Sequence, residues 1–313
     1  MPSGCDEKVG EGQGVWKDKR EGSVGMSDLL PGFEPSEKDL VDRALAQPLE
    51  DKIRRSIGLL QMYEAGALKL SPDGYYLAFS GGKDSCVIKQ LAIEAGVKFK
   101  AFYNLTTIDP PELVLFIKQH HADVEWNKPE IPMLKYLVEK AKGVPTKLMR
   151  WCCEVYKEHG GNGCFRIVGV RVEESTARAY RWREFLQSPT HGLMLAPIAY
   201  WTDADVWAFI RSRNLPYCEL YDQGFSRLGC IGCPLAGKSG QDREFARWPK
   251  YEAMWKRAVF KFYDRWHGVP NRKGEPRYFE DFGSAQGLWD WWRSGKSSEG
   301  EAQCFQEEMD MNT

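Results

Sequence analysis

The 313-residue chain balances 43 Lys and Arg against 44 Asp and Glu, for a net charge of −1 at pH 7. Such a chain has no global field that would draw it to nucleic acid or to an anionic membrane, and no apolar run approaches the ~18 residues of a membrane span. Nine cysteines, with no N-terminal apolar signal segment, predict a cytoplasmic protein whose cysteines bind metal or do chemistry rather than form a disulfide framework.

In chain order, residues 1–35 are rich in Gly, Ser and charge, the composition of a disordered leader. Two helices are predicted over 36–70. Ser36 caps the first, with Asp39 at N3; Ile53, Ile57, Leu60 and Met62 give the second its apolar spacing over about 49–66. Ser71-Pro72-Asp73-Gly74 is a turn. From Tyr75 onward strand and helix patterns alternate: strand 75–79, helix 84–95, strand 99–104, helix 111–120, a short strand at 123–125, helix 131–142, strand 165–170 and a helical stretch at 173–179. Alternation of this kind predicts an α/β fold built on a doubly wound parallel sheet, here with helical N- and C-terminal additions. Ligands of such sheets sit beyond the carboxyl ends of the strands, which nominates the segments 80–85, 105–110 and 170–178.

A helix over 202–212 follows Pro197-Ile198-Ala199-Tyr200-Trp201. A longer one over 249–267 carries Tyr251, Trp255, Ala258, Val259, Phe262 and Trp266 as a core stripe. Arg247, Lys250, Lys256, Arg257, Lys261 and Arg265 charge the same region, as a solvated face in most proteins and as a nucleic-acid face in some. The organisation expected is a leader (1–35), N-terminal helices (36–70), a nucleotide-type domain (71–240), a helical extension (241–293) and a mobile tail (294–313).

Ser80-Gly81-Gly82-Lys83-Asp84-Ser85 joins the first strand to its helix. At such a junction the free N–H groups and the positive end of the helix dipole meet at one spot, an anion site. Gly81 and Gly82 allow close backbone approach. Lys83 adds a point charge, and Ser80 and Ser85 add hydroxyl donors. The ligand this suits is a nucleotide phosphate or pyrophosphate. The spacing is not that of the Walker loop; it resembles the Ser-Gly-Gly-x-Asp-Ser signature of the PP-loop adenine-nucleotide α-hydrolases.

Cys152 and Cys153 are adjacent, and Cys230 and Cys233 form a Cys-x-x-Cys. Two close thiolate pairs are what a sulfur-rich metal site requires, with Arg150 and Lys157 favouring the ionised thiols. Spacing alone does not separate a four-cysteine zinc site from a [4Fe–4S] cluster. Cys86, Cys164 and Cys218 read as small buried residues, and Cys5 and Cys304 fall in the flexible ends.

Together these features resemble the phosphoadenosine phosphosulfate (PAPS) reductase family over about residues 75–240. The matches are the 80–85 loop, Thr106-Thr107-Ile108-Asp109-Pro110-Pro111-Glu112, Cys152-Cys153, Gly169-Val170-Arg171-Val172-Glu173-Glu174-Ser175-Thr176-Ala177-Arg178, Leu220-Tyr221-Asp222-Gln223-Gly224 and Gly229-Cys230-Ile231-Gly232-Cys233-Pro234. The resemblance implies an adenine-nucleotide site and a [4Fe–4S] centre on Cys152, Cys153, Cys230 and Cys233. It also implies that Arg171 and Arg178 hold the anionic end of the substrate, for which a planar guanidinium fork is suited; pairing with Glu173 or Glu174 is the competing use of those arginines.

Two departures from the family pattern matter. The reductases' nucleophilic cysteine sits in a Glu-Cys-Gly-Leu-His-like tail, whereas Cys304 is flanked by Ala302-Gln303 and Phe305-Gln306. The Gly-Gly-Lys loop suits ATP, whose leaving pyrophosphate Lys83 would neutralise. Both favour an ATP-dependent sulfur-transfer enzyme: a substrate oxygen attacks the α-phosphate, Mg²⁺ held by Asp84 or Asp109 and the Lys83 charge stabilise the leaving group, and a sulfur donor then displaces AMP. The acceptor class stays open, DNA or tRNA among the candidates. The alternatives are a PAPS or adenylylsulfate reductase fed by a thiol carrier, and a nucleotide-binding module without turnover.

Overall fold

The computed structural model describes residues 37–141, 143–158, 160–175, 178–179, 183–188, 192–271 and 274–296. The expected leader, the Ser36 cap, Cys5, Cys304 and the expected tail from 297 on lie outside the described residues. Helix α1 (Glu37–Leu45) opens the described chain. From Ala44 on, the described residues form one compact unit. No described helix is long and apolar enough to cross a membrane.

Helix α2 (Leu49–Leu70) runs one turn past the predicted end, because Ala67 adds another buried position to its apolar face. Six strands follow: β1 (Tyr75–Ala78), β2 (Phe99–Asn104), β3 (Glu125–Asn127), β4 (Arg166–Ile167), β5 (Phe185–Ser188) and β6 (Gly192–Leu195). Their order across the sheet is β3-β2-β1-β4-β6-β5. All neighbours are parallel except β5 and β6. Register is set by pairs such as Tyr75 with Phe99, Leu77 with Ile167, and Arg166 with Met194.

The α/β architecture is thus the predicted one, with one amendment. The β5–β6 pair adds an antiparallel edge that sequence pattern does not reveal, since four-residue strands are too short for alternation to stand out. The strand expected over 165–170 shrinks to β4, and only a short 3₁₀ turn, Val172–Glu174, occupies the start of the helical stretch expected at 173–179.

The helices between and after the strands are α3 (Lys83–Ala95), α4 (Pro111–His120), α5 (Met133–Glu139), a single turn α6 (Trp151–Cys153), α7 (Asp203–Ser212), α8 (Gly237–Arg247), α9 (Pro249–Trp266) and α10 (Ala285–Ser294). Helix α3 packs against both α2 and α7, while α9 packs against α5, α8 and α10. The aromatic stripe of α9 is core: Trp255 and Phe262 are buried, Trp255 lies 4.9 Å from the Trp292 ring, and Phe262 lies 4.9 Å edge-on to Phe279. From β1 the chain moves outward to β2 and β3, then returns to place β4 on the other side of β1. The loops leaving β1 and β4 therefore part at the carboxyl edge and open a crevice there.

Behind the loop, α3 carries a buried polar cluster. Lys89 Nζ lies 3.2 Å from His121 Nδ1 and 2.6 Å from Asp123 Oδ1, and Cys86 Sγ lies 3.8 Å from His121 Nε2. Burial, with the Lys89 charge beside it, pushes the His121 pKa down from 6.5 to about 4. The folded state therefore binds fewer protons than the unfolded chain between those values. The corresponding stability, about 3 kcal/mol, is present above pH 6.5 and lost as pH falls toward 4. Denaturant unfolding at pH 7, 5 and 4 should show this decline, and His121→Gln should flatten it.

Candidate functional site

The 80–85 loop leaves β1 and enters α3 without any side chain capping the helix, so the first N–H groups of α3 point outward from the crevice end of the sheet. Gly81 adopts φ +75°, and a Cβ there would lie 2.7 Å from Ile117 Cδ1 and 2.8 Å from Leu113 Cδ1, so both backbone angle and space demand glycine. Ser85 Oγ donates to the Gly82 carbonyl (2.8 Å), and Gly82 N–H donates to Ser80 Oγ (3.3 Å). The Lys83 N–H donates to the Tyr221 hydroxyl (2.9 Å), and Lys83 Nζ lies 5.8 Å from the centre of the Tyr221 ring. Tyr221 thus roofs the helix N-terminus. It belongs to the 220–224 motif, yet sequence gave it no role.

Lys83 and Arg171 are buried and held in one ionic network. Lys83 Nζ lies 3.2 Å from Asp84 Oδ2 and 3.1 Å from Asp203 Oδ1. Arg171 spreads its guanidinium over Asp84 Oδ1 (2.7 Å), Glu173 Oε2 (2.8 Å) and Asp203 Oδ1 (3.1 Å). The Asp203 N–H donates to Glu173 Oε2 (2.6 Å), which ties the start of α7 into the same knot. Arg171 was expected to meet a substrate anion; the structure gives it to these carboxylates. Asp203 is a partner that no sequence signal marks beyond its place in a helix start.

Arg178, ion-paired with Glu174, is placed differently. Burial lowers its pKa, and the nearby charges of Arg227, Arg171 and Arg150 push the same way, against the pull of Asp84. Like charges gathered this way leave a position that favours an anion. Arg227, which sequence reading passed over, is exposed and also lines the cysteine cavity.

All four nominated cysteines line a single cavity of about 210 Å³, together with Arg150, Lys157, Arg227, Met133 and Trp255. Cys152 and Cys153 ride on α6, which continues into a π-helical turn, Glu154–Glu158, a distortion frequent at functional sites. A hydrogen bond with Cys152 lowers the Cys153 pKa to about 6, with Arg150 and Lys157 assisting; Cys152 is correspondingly raised. Burial pushes Cys230 up to about 11 against the Lys157 charge, and Lys157 is raised in turn, chiefly by Cys230. The Cys230 thiol also lies 3.5 Å from Thr106 Oγ1.

The Cys230–Cys233 loop is fastened by residues beyond the nucleotide-type domain. Gly232 takes φ +79°, with room for no Cβ because Trp255 Nε1 and Phe245 Cζ would each lie 2.7 Å away. The Gly232 N–H donates to Glu244 Oε2 (2.6 Å), Gln241 Nε2 donates to the Gly232 carbonyl (3.0 Å), and Trp255 Nε1 donates to the Ile231 carbonyl (2.9 Å). Burial raises Glu244 to about 7, against the hydrogen bonds it accepts from Gly232 and Cys233.

Asp109 stands on the cysteine side rather than with Asp84. Its carboxylate accepts the Thr106 N–H (2.8 Å), it is buried, and its charge is felt by Lys157 and Tyr103. Asp84 and Asp109 share no partner, and both Asp84 oxygens are occupied by Lys83 and Arg171. The two carboxylates nominated as alternatives for Mg²⁺ thus stand in separate surroundings. Thr107 beside Asp109 adopts φ +69°, a strained conformation for a β-branched residue, with its Oγ1 accepting the Met133 N–H at 3.0 Å. Among the described residues, no three His, Cys, Asp or Glu side chains converge on a single-ion site.

Residues 74–236 match the family model described as the phosphoadenosine phosphosulfate reductase domain. An uncharacterised protein of Methanocaldococcus jannaschii is 26% identical over 281 residues, 79% of this chain and 53% of that protein. The adenosine 5'-phosphosulfate reductase of Oceanobacillus iheyensis is 27% identical over 139 residues, 42% of this chain and 57% of that protein. The chain thus spans little more than half the length of these curated relatives. Among solved structures, the phosphoadenylyl-sulfate reductase of Candida auris in its phosphate complex aligns with TM-score 0.41 at 15% identity, over 64% of this chain and 97% of that one. With its glycine-rich loop, arginine stretch and cysteine pairs all inside the matched segment, the chain belongs to the phosphoadenosine phosphosulfate reductase family.

Proposed function

We propose that the chain binds an adenine nucleotide at the 80–85 loop, uses it to activate a substrate for sulfur transfer, and holds a [4Fe–4S] cluster on Cys152, Cys153, Cys230 and Cys233. One observation carries the reading. Arg178 feels Asp84 and Arg171 at the loop and also Arg150 and Arg227 at the cysteine cavity, so the loop and the cavity are electrostatic neighbours.

The residues fit a sulfur-ligated group: all four thiols line one cavity of about 210 Å³, the donor set that a four-cysteine cluster takes. Lys157, Arg150 and Arg227 offset the negative charge that four thiolates bring. When bound, the cluster supplies electron- or sulfur-carrying chemistry. At the loop, the N–H groups of α3 donate to the nucleotide's phosphate oxygens once the Tyr221 hydroxyl yields its place. A substrate oxygen then bonds to the α-phosphorus, the bond from that phosphorus to the bridging oxygen breaks, and pyrophosphate leaves with the electron pair. Lys83 offsets the charge that develops there, and Arg178 with Arg227 faces the anionic end of the substrate. A sulfur nucleophile from a separate donor displaces AMP. No step is assigned to Mg²⁺: both Asp84 oxygens are engaged by Lys83 and Arg171, and the Asp109 carboxylate accepts the Thr106 N–H.

The named reductase relatives support a second reading, reduction of adenosine 5'-phosphosulfate or PAPS to sulfite. Calorimetric titration of anaerobically purified protein with Mg-ATP and, separately, with PAPS decides between them. Tight ATP binding with weak PAPS binding is expected; the reverse preference would overturn the ATP reading in favour of the reductase, and binding of neither would remove both.

A further inference from the structure

We propose that the exposed face of α9 is a nucleic-acid surface that takes the phosphodiester backbone of a strand. Six cations surround this helix, and the structure divides them. Arg247 is bound to Glu112 at 2.8 Å, and Lys256 Nζ lies 5.4 Å from the centre of the Phe260 ring. Lys250, Arg257, Lys261 and Arg265 are exposed. Successive members lie seven, four and four residues apart, so at 3.6 residues per turn they fall on one stripe, about 22 Å long at 1.5 Å per residue.

Folding does not explain this stripe. A solvated helix face is usually stabilised by opposite charges four residues apart. Here Arg257, Lys261 and Arg265 are like charges at that very spacing, which costs about 0.2–0.5 kcal/mol per pair. Among the described residues no carboxylate is paired with any of the four cations; the Arg265 guanidinium lies over Trp266, 5.5 Å from its centre. Asp264 flanks the stripe, and Glu252 is drawn to Arg293, 3.7 Å away. A chain of net charge −1 has thus gathered a row of unpaired cations on one helix, and a polyanion with regularly spaced charge complements such a row.

The row also leads somewhere. At the first turn of α9 the Tyr251 hydroxyl donates to the Asp109 carbonyl (3.3 Å), and one turn on Trp255 reaches the Ile231 carbonyl (2.9 Å). The helix is therefore anchored to the carboxyl edge where loop and cysteines meet, and a strand lying along it would run to that edge.

Fluorescence anisotropy with a short single-stranded RNA and with a DNA duplex, each without nucleotide present, tests the surface independently of the reading of the loop. Four phosphate contacts predict that log affinity falls with log salt at a slope of roughly −3. The Lys250→Gln/Arg257→Gln/Lys261→Gln variant should weaken binding about 10-fold or more at about 0.1 M salt and flatten the slope by about 2, with an unchanged circular-dichroism spectrum. The better-bound oligonucleotide names the source of the strand. The proposal fails if the triple variant binds as the wild type does. It fails equally if neither oligonucleotide binds, or if anionic vesicles bind more tightly than both.

Discussion

Lys83→Met should cut pyrophosphate release from ATP by about 100-fold or more while leaving the fold nearly as stable, and Arg171→Met should do most of its damage to stability. The ionic network dictates the contrast. Removing the Lys83 ammonium leaves Asp84 and Asp203 still bound to Arg171, at 2.7 and 3.1 Å. Both carboxylates keep a cation, so the stability loss is small, about 1 kcal/mol. The rate loss is large because a preorganised charge facing a leaving group is worth roughly 10²–10³ in turnover. Removing Arg171 instead leaves Asp84 and Asp203 to share the single ammonium of Lys83 and strips Glu173 of its guanidinium partner. Breaking a buried pair from one side costs about 3–5 kcal/mol; the half-exposed Glu173 and Asp203 place this case at the lower end, about 3 kcal/mol. Denaturant unfolding and pyrophosphate assays on both variants check the pair. Unchanged release from Lys83→Met would end the ATP reading, and a stability loss equal to that of Arg171→Met would make Lys83 a counter-ion of the network and no more.

The contrast also shows what sequence can and cannot disclose. The loop, the four cysteines and the alternation that builds a parallel sheet are local in origin: a glycine pair after an apolar strand, two thiol pairs, and alternation of period two with period 3.6. Asp203 and Tyr221 are different. Each reaches the loop only because α7 and the 220–224 segment fold back over α3, and neither carries a local mark of that. The placing of Asp109 is equally non-local, since the Thr106 N–H and the Lys157 charge hold it on the cysteine side. The basic helix was legible as charge but not as geometry: only packing separates Arg247, spent on Glu112, from the unpaired row beyond it. Helix α8, with mean polarity high and apolar positions few, gave no periodic signal, and the residues fastening the Cys230–Cys233 loop went unseen with it.

Those fastening residues carry the second large effect. Glu244→Ala should strip most of the iron from anaerobically isolated protein, whereas Glu244→Gln should keep most of it. The carboxylate accepts the backbone N–H groups of Gly232 and Cys233 from a helix outside the segment that defines the family. Alanine leaves the buried Gly232 N–H without an acceptor, at about 1–3 kcal/mol, and leaves the Cys233 N–H only its 3.2 Å bond to the Cys230 carbonyl. The loop cannot relax by rotating Gly232, because its φ of +79° is wedged between Phe245 and Trp255. The cheaper response is for the whole Cys230–Cys233 turn to move, and with it two of the four thiols that line the cavity. Glutamine presents an amide oxygen at the same place and length, so it restores an acceptor while removing the charge. Iron content per chain and the rate at which visible absorbance bleaches in air report the outcome without any assay of activity. Equal iron and equal bleaching in Glu244→Ala and wild type would show that the turn holds itself. Loss in both variants alike would assign the effect to the carboxylate's charge instead of its hydrogen bonds.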